Sequence, residues 1–151
     1  MKKIMLMAAL IAASCLTAVA QETTKINDRS AAGTLLGRHM LSLQWVSWDY
    51  FGAATVTDRY GVYTIRGEQK GRGESASDFV TVSGTITSID AKEFAFTGKI
   101  TTQVSHINRG QPCVREGEFT FKVTGKRRYW RLQQMDNPCD PVTDYVDIYF
   151  R

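Results

Sequence analysis

A chain of 151 residues with 43% hydrophobic and 23% charged residues has the composition of an ordinary globular protein, not of a disordered or fibrous one. Its formal charge is +4; without the two lysines of the first twenty residues, 17 basic face 15 acidic residues, a net +2. That balance is too even to imply nucleic acid or an anionic membrane as partner.

Residues 1–20 differ in kind from the rest. Lys2 and Lys3 form a positive start, Ile4 to Leu16 is an apolar stretch without charge, and Ala18-Val19-Ala20 supplies small residues before Gln21. This is the layout of a secretory signal peptide cleaved after Ala20. The run is shorter than the roughly 20 residues that a membrane span needs. Lipid attachment at Cys15, which follows Ala12, Ala13 and Ser14, is the alternative processing. Either way the protein is exported, and the expected location is periplasmic or secreted.

Residues 21–36 are polar and then small, and read as a loosely ordered leader with one helical turn. From residue 37 to 151 the pattern is strand, turn, strand, within one domain. Gly37–Trp48 and Tyr50–Thr57 form the first two strands, Asp58 to Gly61 a turn, and Val62–Lys70 the third strand. A polar loop, Gly71–Ser77, follows. Phe79–Ile89 and Phe94–Ile107 make one hairpin, Glu118–Gly125 and Arg128–Met135 another, and Thr143–Phe150 is the last strand. Apolar Val80, Val82 and Ile86 alternate with Thr81, Ser83 and Thr85. Phe119, Phe121 and Val123 alternate likewise with Glu118, Thr120 and Lys122. Each strand thus offers one face to a common interior and one to water. The expected fold is all-β, an antiparallel up-and-down barrel of about eight strands, with a β-sandwich as the alternative.

Export makes the cysteines informative. Of three, Cys15 belongs to the signal-peptide segment, and Cys113 and Cys139 remain to pair. They flank the two strands of the last hairpin, which brings them to the same end of the fold. No second cysteine or histidine stands at a zinc-site spacing, so no metal is expected. No Gly-x-Ser-x-Gly elbow is present, and Gly71-Arg72-Gly73 is too short for a phosphate loop. The expectation is a non-enzymatic protein without a cofactor.

The aromatics are the most suggestive feature. Trp45, Trp48, Tyr50 and Phe51 fall close together, and Trp45 and Trp48 lie on opposite faces of one expected strand, so one of them is a contact or rim residue. Gly84, Gly98 and Thr102 interrupt apolar faces. These small inward positions predict a partial cavity lined by Trp45, Phe96, Ile100, Phe121 and Trp130, with His39, His106 and Gln134 as polar contacts.

The export signal and run of strands resemble the lipocalin-like, or calycin, barrels. Leu36-Gly37-Arg38-His39 is similar to the Gly-x-Trp opening of that superfamily, with His39 at the tryptophan position, and Thr143-Asp144-Tyr145 is similar to its Thr-Asp-Tyr motif. The chain also resembles exported bacterial proteins of similar length, a likeness that brings no activity with it. The lipocalin-like resemblance implies a barrel holding a small, partly apolar ligand in its interior. The alternative is a structural or protein-interaction module of the cell envelope that uses exposed aromatics.

Overall fold

The computed structural model describes residues 20–151, so the signal-peptide segment and Cys15 lie outside the described residues. The alternating segments form β2 (Gly37–Leu43), β3 (Gly52–Arg59), β4 (Val62–Lys70), β5 (Phe79–Ile89), β6 (Glu93–Gln103), β7 (Cys113–Lys122), β8 (Tyr129–Leu132) and β9 (Val146–Tyr149). Each pairs antiparallel with the next, and β9 returns to β2 through Leu41↔Ile148 and Leu43↔Val146. This is a closed eight-stranded barrel, and closure leaves no long edge exposed.

The leader is folded, not loose. β1 (Lys25–Ile26) pairs parallel with the end of β5, beyond the point where β4 begins. Asp28 then caps α1 (Arg29–Leu35), its carboxylate accepting the Ala31 N–H at 2.7 Å. α1 turns Ala32 and Leu35 into the core, where they are 4% and 1% exposed, and so plugs one end of the barrel. Strand direction defines the two ends. β2, β4, β6 and β8 run away from this helix end, and β3, β5, β7 and β9 run back toward it.

The expected first strand, Gly37–Trp48, ends instead at Leu43, and Phe94–Ile107 ends at Gln103. The strand expected from Glu118 begins at Cys113, and the last two strands are shorter than the sequence suggested. Trp45 and Trp48 therefore occupy a turn and do not alternate across a sheet.

Aromatic rings and aliphatic side chains pack the interior. Phe94 stacks on Phe121 with centroids 5.2 Å apart, Phe96 stacks on Phe119 at the same spacing, and Trp130 meets Phe150 at 4.2 Å. Leu41, Ile86, Ile100, Leu132 and Ile148 are fully buried among them. Each such side chain contributes about 1.5–3 kcal/mol by leaving water. The glycines expected to leave space do not. Gly84 and Gly98 face each other across β5 and β6. A Cβ on Gly84 would stand 2.8 Å from the Phe96 ring, and one on Gly98 would stand 2.1 Å from the Ser83 carbonyl. Glycine here lets two strands approach and admits a ring.

The outer wall is polar, with Thr81, Lys99, Glu116 and Lys122 turned outward. An apolar inside and a polar outside are the inverse of a membrane-spanning barrel. Among the described residues no helix is long and apolar enough to cross a membrane.

Candidate functional site

Opposite the helix end lies a rim of loops, and its chemistry begins with a glutamine. Gln69 on β4 is 1% exposed, and every polar atom of its amide has a partner. Its Oε1 accepts the Leu43 N–H at 2.7 Å, and its Nε2 donates to the carbonyls of Ser47 and Tyr50 at 3.2 and 3.0 Å. These bonds end β2 and fix the turn that follows it. The hydroxyl of Ser47 accepts the Asp49 N–H at 3.0 Å and sharpens the bend. Trp45 and Trp48 are lifted onto the rim as a result.

The segment between β8 and β9 forms the facing wall. Cys139 bonds Cys113 at the start of β7, with an S–S length of 2.09 Å and Cα atoms 5.9 Å apart. The Asn137 carboxamide oxygen accepts the Cys139 N–H at 2.8 Å, and Asp140 accepts the Asn108 N–H at 2.6 Å. Gln44 closes the gap between the walls: its Oε1 accepts the Tyr145 N–H at 2.7 Å, and its Nε2 donates to the Thr143 carbonyl at 2.6 Å.

Between these walls lies a cleft of about 520 Å³ lined by Trp45, Trp48, Pro141, Val142 and Tyr145, with Gln44 and Thr143. Trp48 is 53% exposed. Tyr145 is braced from behind by Arg131, whose guanidinium lies 4.1 Å from the ring centre. Trp45 is braced from below by Asp144, which accepts its indole N–H at 3.1 Å.

Asp144 is the centre of a buried polar cluster. It accepts from Arg115 at 3.2 Å and from Asn137 at 3.0 Å. Burial pushes its carboxyl above the usual aspartate range, an effect opposed by Arg115 and by the bonds from Asn137 and Trp45. Burial likewise lowers the pKa of Arg115, against the pull of Asp144. Arg115 also donates to the Gln134 carbonyl at 3.0 Å, while its Nε is buried without a partner. Desolvation of both groups offsets much of the attraction in a buried ion pair of this kind, while loss of one partner would leave an uncompensated buried charge.

The residues expected to line one cavity are dispersed. Phe96, Ile100, Phe121 and Trp130 are core residues. His39 is buried near the helix end, where its Nε2 lies 2.7 Å from the Leu35 carbonyl and its Nδ1 2.9 Å from that of Tyr149, tying α1 to β9. His106 does not point inward from β6, because the strand has already ended. It lies exposed on the rim with its ring centre 6.0 Å from that of Trp45. Gln134 is exposed, and its Oε1 accepts the Thr120 N–H at 3.0 Å. Within the barrel His39 meets Trp130 edge-on at 5.6 Å and Phe96 meets Phe121 at 5.8 Å, whereas on the rim Trp45 and His106 come together. The sequence points to one of Trp45 and Trp48 as a contact or rim residue, and the structure puts both on the rim, where the disulfide-bearing loop brings Pro141, Val142 and Tyr145 to them. Among the described residues no group of three or more His, Cys, Asp or Glu side chains converges as metal ligands.

Fold and site together define a closed antiparallel barrel with a packed interior and an aromatic cleft on its disulfide-linked rim. The chain belongs to the PM1083 family, whose profile matches residues 23–150. It is 46% identical over 130 residues to the Uncharacterized protein PM1083 of Pasteurella multocida (strain Pm70), covering 86% of this chain and 79% of that one. No solved structure matches.

Proposed function

We propose that the protein is an exported, non-enzymatic binding barrel that takes a flat, partly apolar ring on its rim and not in its interior. The observation that carries this reading is the cleft between Trp45, Trp48, Pro141 and Tyr145. Aromatic faces held in place bind with little loss of side-chain freedom and suit the flat face of a sugar or an aromatic metabolite. Gln44 is fully engaged in joining the two walls, so the cleft is preorganised. The disulfide agrees with an oxidising compartment, periplasmic or extracellular. The lipocalin-like likeness enters this reading as architecture alone, because its interior ligand site is occupied here by Phe94, Phe96 and Phe121.

A second reading, a protein-interaction module of the cell envelope, is favoured by the exposure of Trp48. Titration of the tryptophan fluorescence with sugars, aromatic metabolites, fatty acids, retinoids and haem separates the readings. Saturable quenching that disappears in Trp48→Ala and survives in Trp130→Phe supports the rim site. Quenching that needs Trp130 returns the ligand to the interior, and silence across the whole panel leaves the interaction module.

A further inference from the structure

The even net charge conceals a strong polarity along the barrel axis. Strand direction brings cations from distant parts of the chain to the helix end: Arg59 at the end of β3, Arg38 at the start of β2, Arg151 after β9, and Lys126, Arg127 and Arg128 between β7 and β8. Lys25, Arg29, Lys92 and Lys122 complete the ring, and all ten side chains are exposed. Five acids share this end, and four of them are engaged locally. Asp28 caps α1, Asp58 accepts the Gly61 N–H, Asp90 accepts from Asn27, and Glu93 pairs with Lys122. The rim has the opposite balance, with seven acids (Asp49, Glu68, Glu74, Asp78, Asp136, Asp140, Asp144) against Lys70, Arg72, Arg109 and Arg115.

An aromatic side chain projects from the same basic end. Tyr60 is 95% exposed at the tip of the β3–β4 hairpin, the most exposed of the large hydrophobic side chains. It holds φ at 55° beside Gly61 at 81°, a left-handed pair that Asn-Gly adopts more easily. Nothing in the barrel packs on this ring to repay that conformation. The chain also enters the fold near here, where Gln21 donates to the Thr85 hydroxyl at 2.8 Å. A lipid carried on Cys15, the alternative to cleavage, would bring this same end to a bilayer.

We infer that the helix end of the barrel docks on an anionic lipid surface, with Tyr60 seated at the headgroup level and the ring of Lys and Arg side chains against the lipid phosphates. A convex end ringed by cations fits a broad charged plane, and tyrosine is an interfacial residue. In this orientation the aromatic rim faces away from the bilayer.

Sedimentation of the exported form with vesicles of phosphatidylcholine, alone or mixed with about a third phosphatidylglycerol, tests the inference. The protein should pellet with the mixed vesicles only, and binding should fall as salt rises. Each cation near the surface contributes about fivefold to binding, so Lys126→Glu, Arg127→Glu and Arg128→Glu together should weaken it at least tenfold. Tyr60→Ser should weaken it severalfold at any salt, and Arg109→Glu on the rim should change nothing. Equal binding to neutral vesicles, binding indifferent to the triple reversal, or a tighter complex with duplex DNA than with vesicles would each overturn the inference.

Discussion

The two ends of the barrel are finished by different chemistry. At the helix end, α1 follows directly on a short strand and turns Ala32 and Leu35 into the core, so burial of local sequence closes the cylinder. At the rim, segments 19 to 101 residues apart are tied together by one disulfide, the Gln69 and Gln44 amides and the Asp144 cluster. Apolar burial is indifferent to redox state and nearly so to pH, whereas cross-links and buried charges respond to both. The end that carries the candidate cleft is therefore the conditional one, and the plugged end is the permanent one.

The sharpest way to break this contrast is to remove the charge beneath the rim. Asp144→Ala leaves the Arg115 guanidinium buried without its partner and should lower stability by about 3–5 kcal/mol, read from urea denaturation. The pH dependence has a defined sign. The Asp144 carboxyl titrates above its ordinary value of 3.8 in the folded state. Its contribution is thus fully present below that value and is lost as pH rises through the raised one. The stability advantage of the native protein over Asp144→Asn should then widen as pH falls from neutral toward 4, whereas a narrowing would show that the pull of Arg115 outweighs burial at this carboxyl.

Reduction of the disulfide is the next largest perturbation. Its cysteines are 26 residues apart, and loss of the bridge should cost about 3–4 kcal/mol. Hydrogen exchange should quicken at Asn137 to Asp144 well before it changes in α1. At the other end, Leu35→Ala should cost about 2–4 kcal/mol by leaving a void under the plug, with the same loss in oxidised and reduced protein. Asp28→Ala, which removes the α1 cap, should cost about 1 kcal/mol by thermal melting and leave the rim cleft unaltered.

The same division explains what the sequence could reveal. Alternation in β5, β6 and the second half of β7 is a local property, and it showed both the strands and their buried faces. The first half of β7 inverts that signal, because Val114 is 53% exposed while Arg115 is buried on the long-range partner Asp144. It read as a loop. The turn at Gln44–Ser47 read as strand because Trp45 and Val46 have strand-like composition and the glutamine that bends it lies on another strand. α1 presents only two buried residues in seven, too few to register as a period. Gly84 and Gly98 show in the sequence where side chains are missing, but not that the neighbouring backbone and Phe96 take up the room. Tyr145, Pro141 and Val142 were unrecognised for a related reason: only loop closure makes them neighbours of Trp48.

The three tryptophans report on the two regions separately, since Trp45 and Trp48 stand on the rim and Trp130 is 4% exposed in the interior. Their indole N–H resonances in a nitrogen-15 correlation spectrum, followed through titration with the ligand found by fluorescence, test the central claim most directly. The account predicts that the Trp48 and Trp45 signals move together to saturation while that of Trp130 stays in place. A Trp130 signal that shifts first, with the two rim signals fixed, would contradict it and put the ligand inside the barrel.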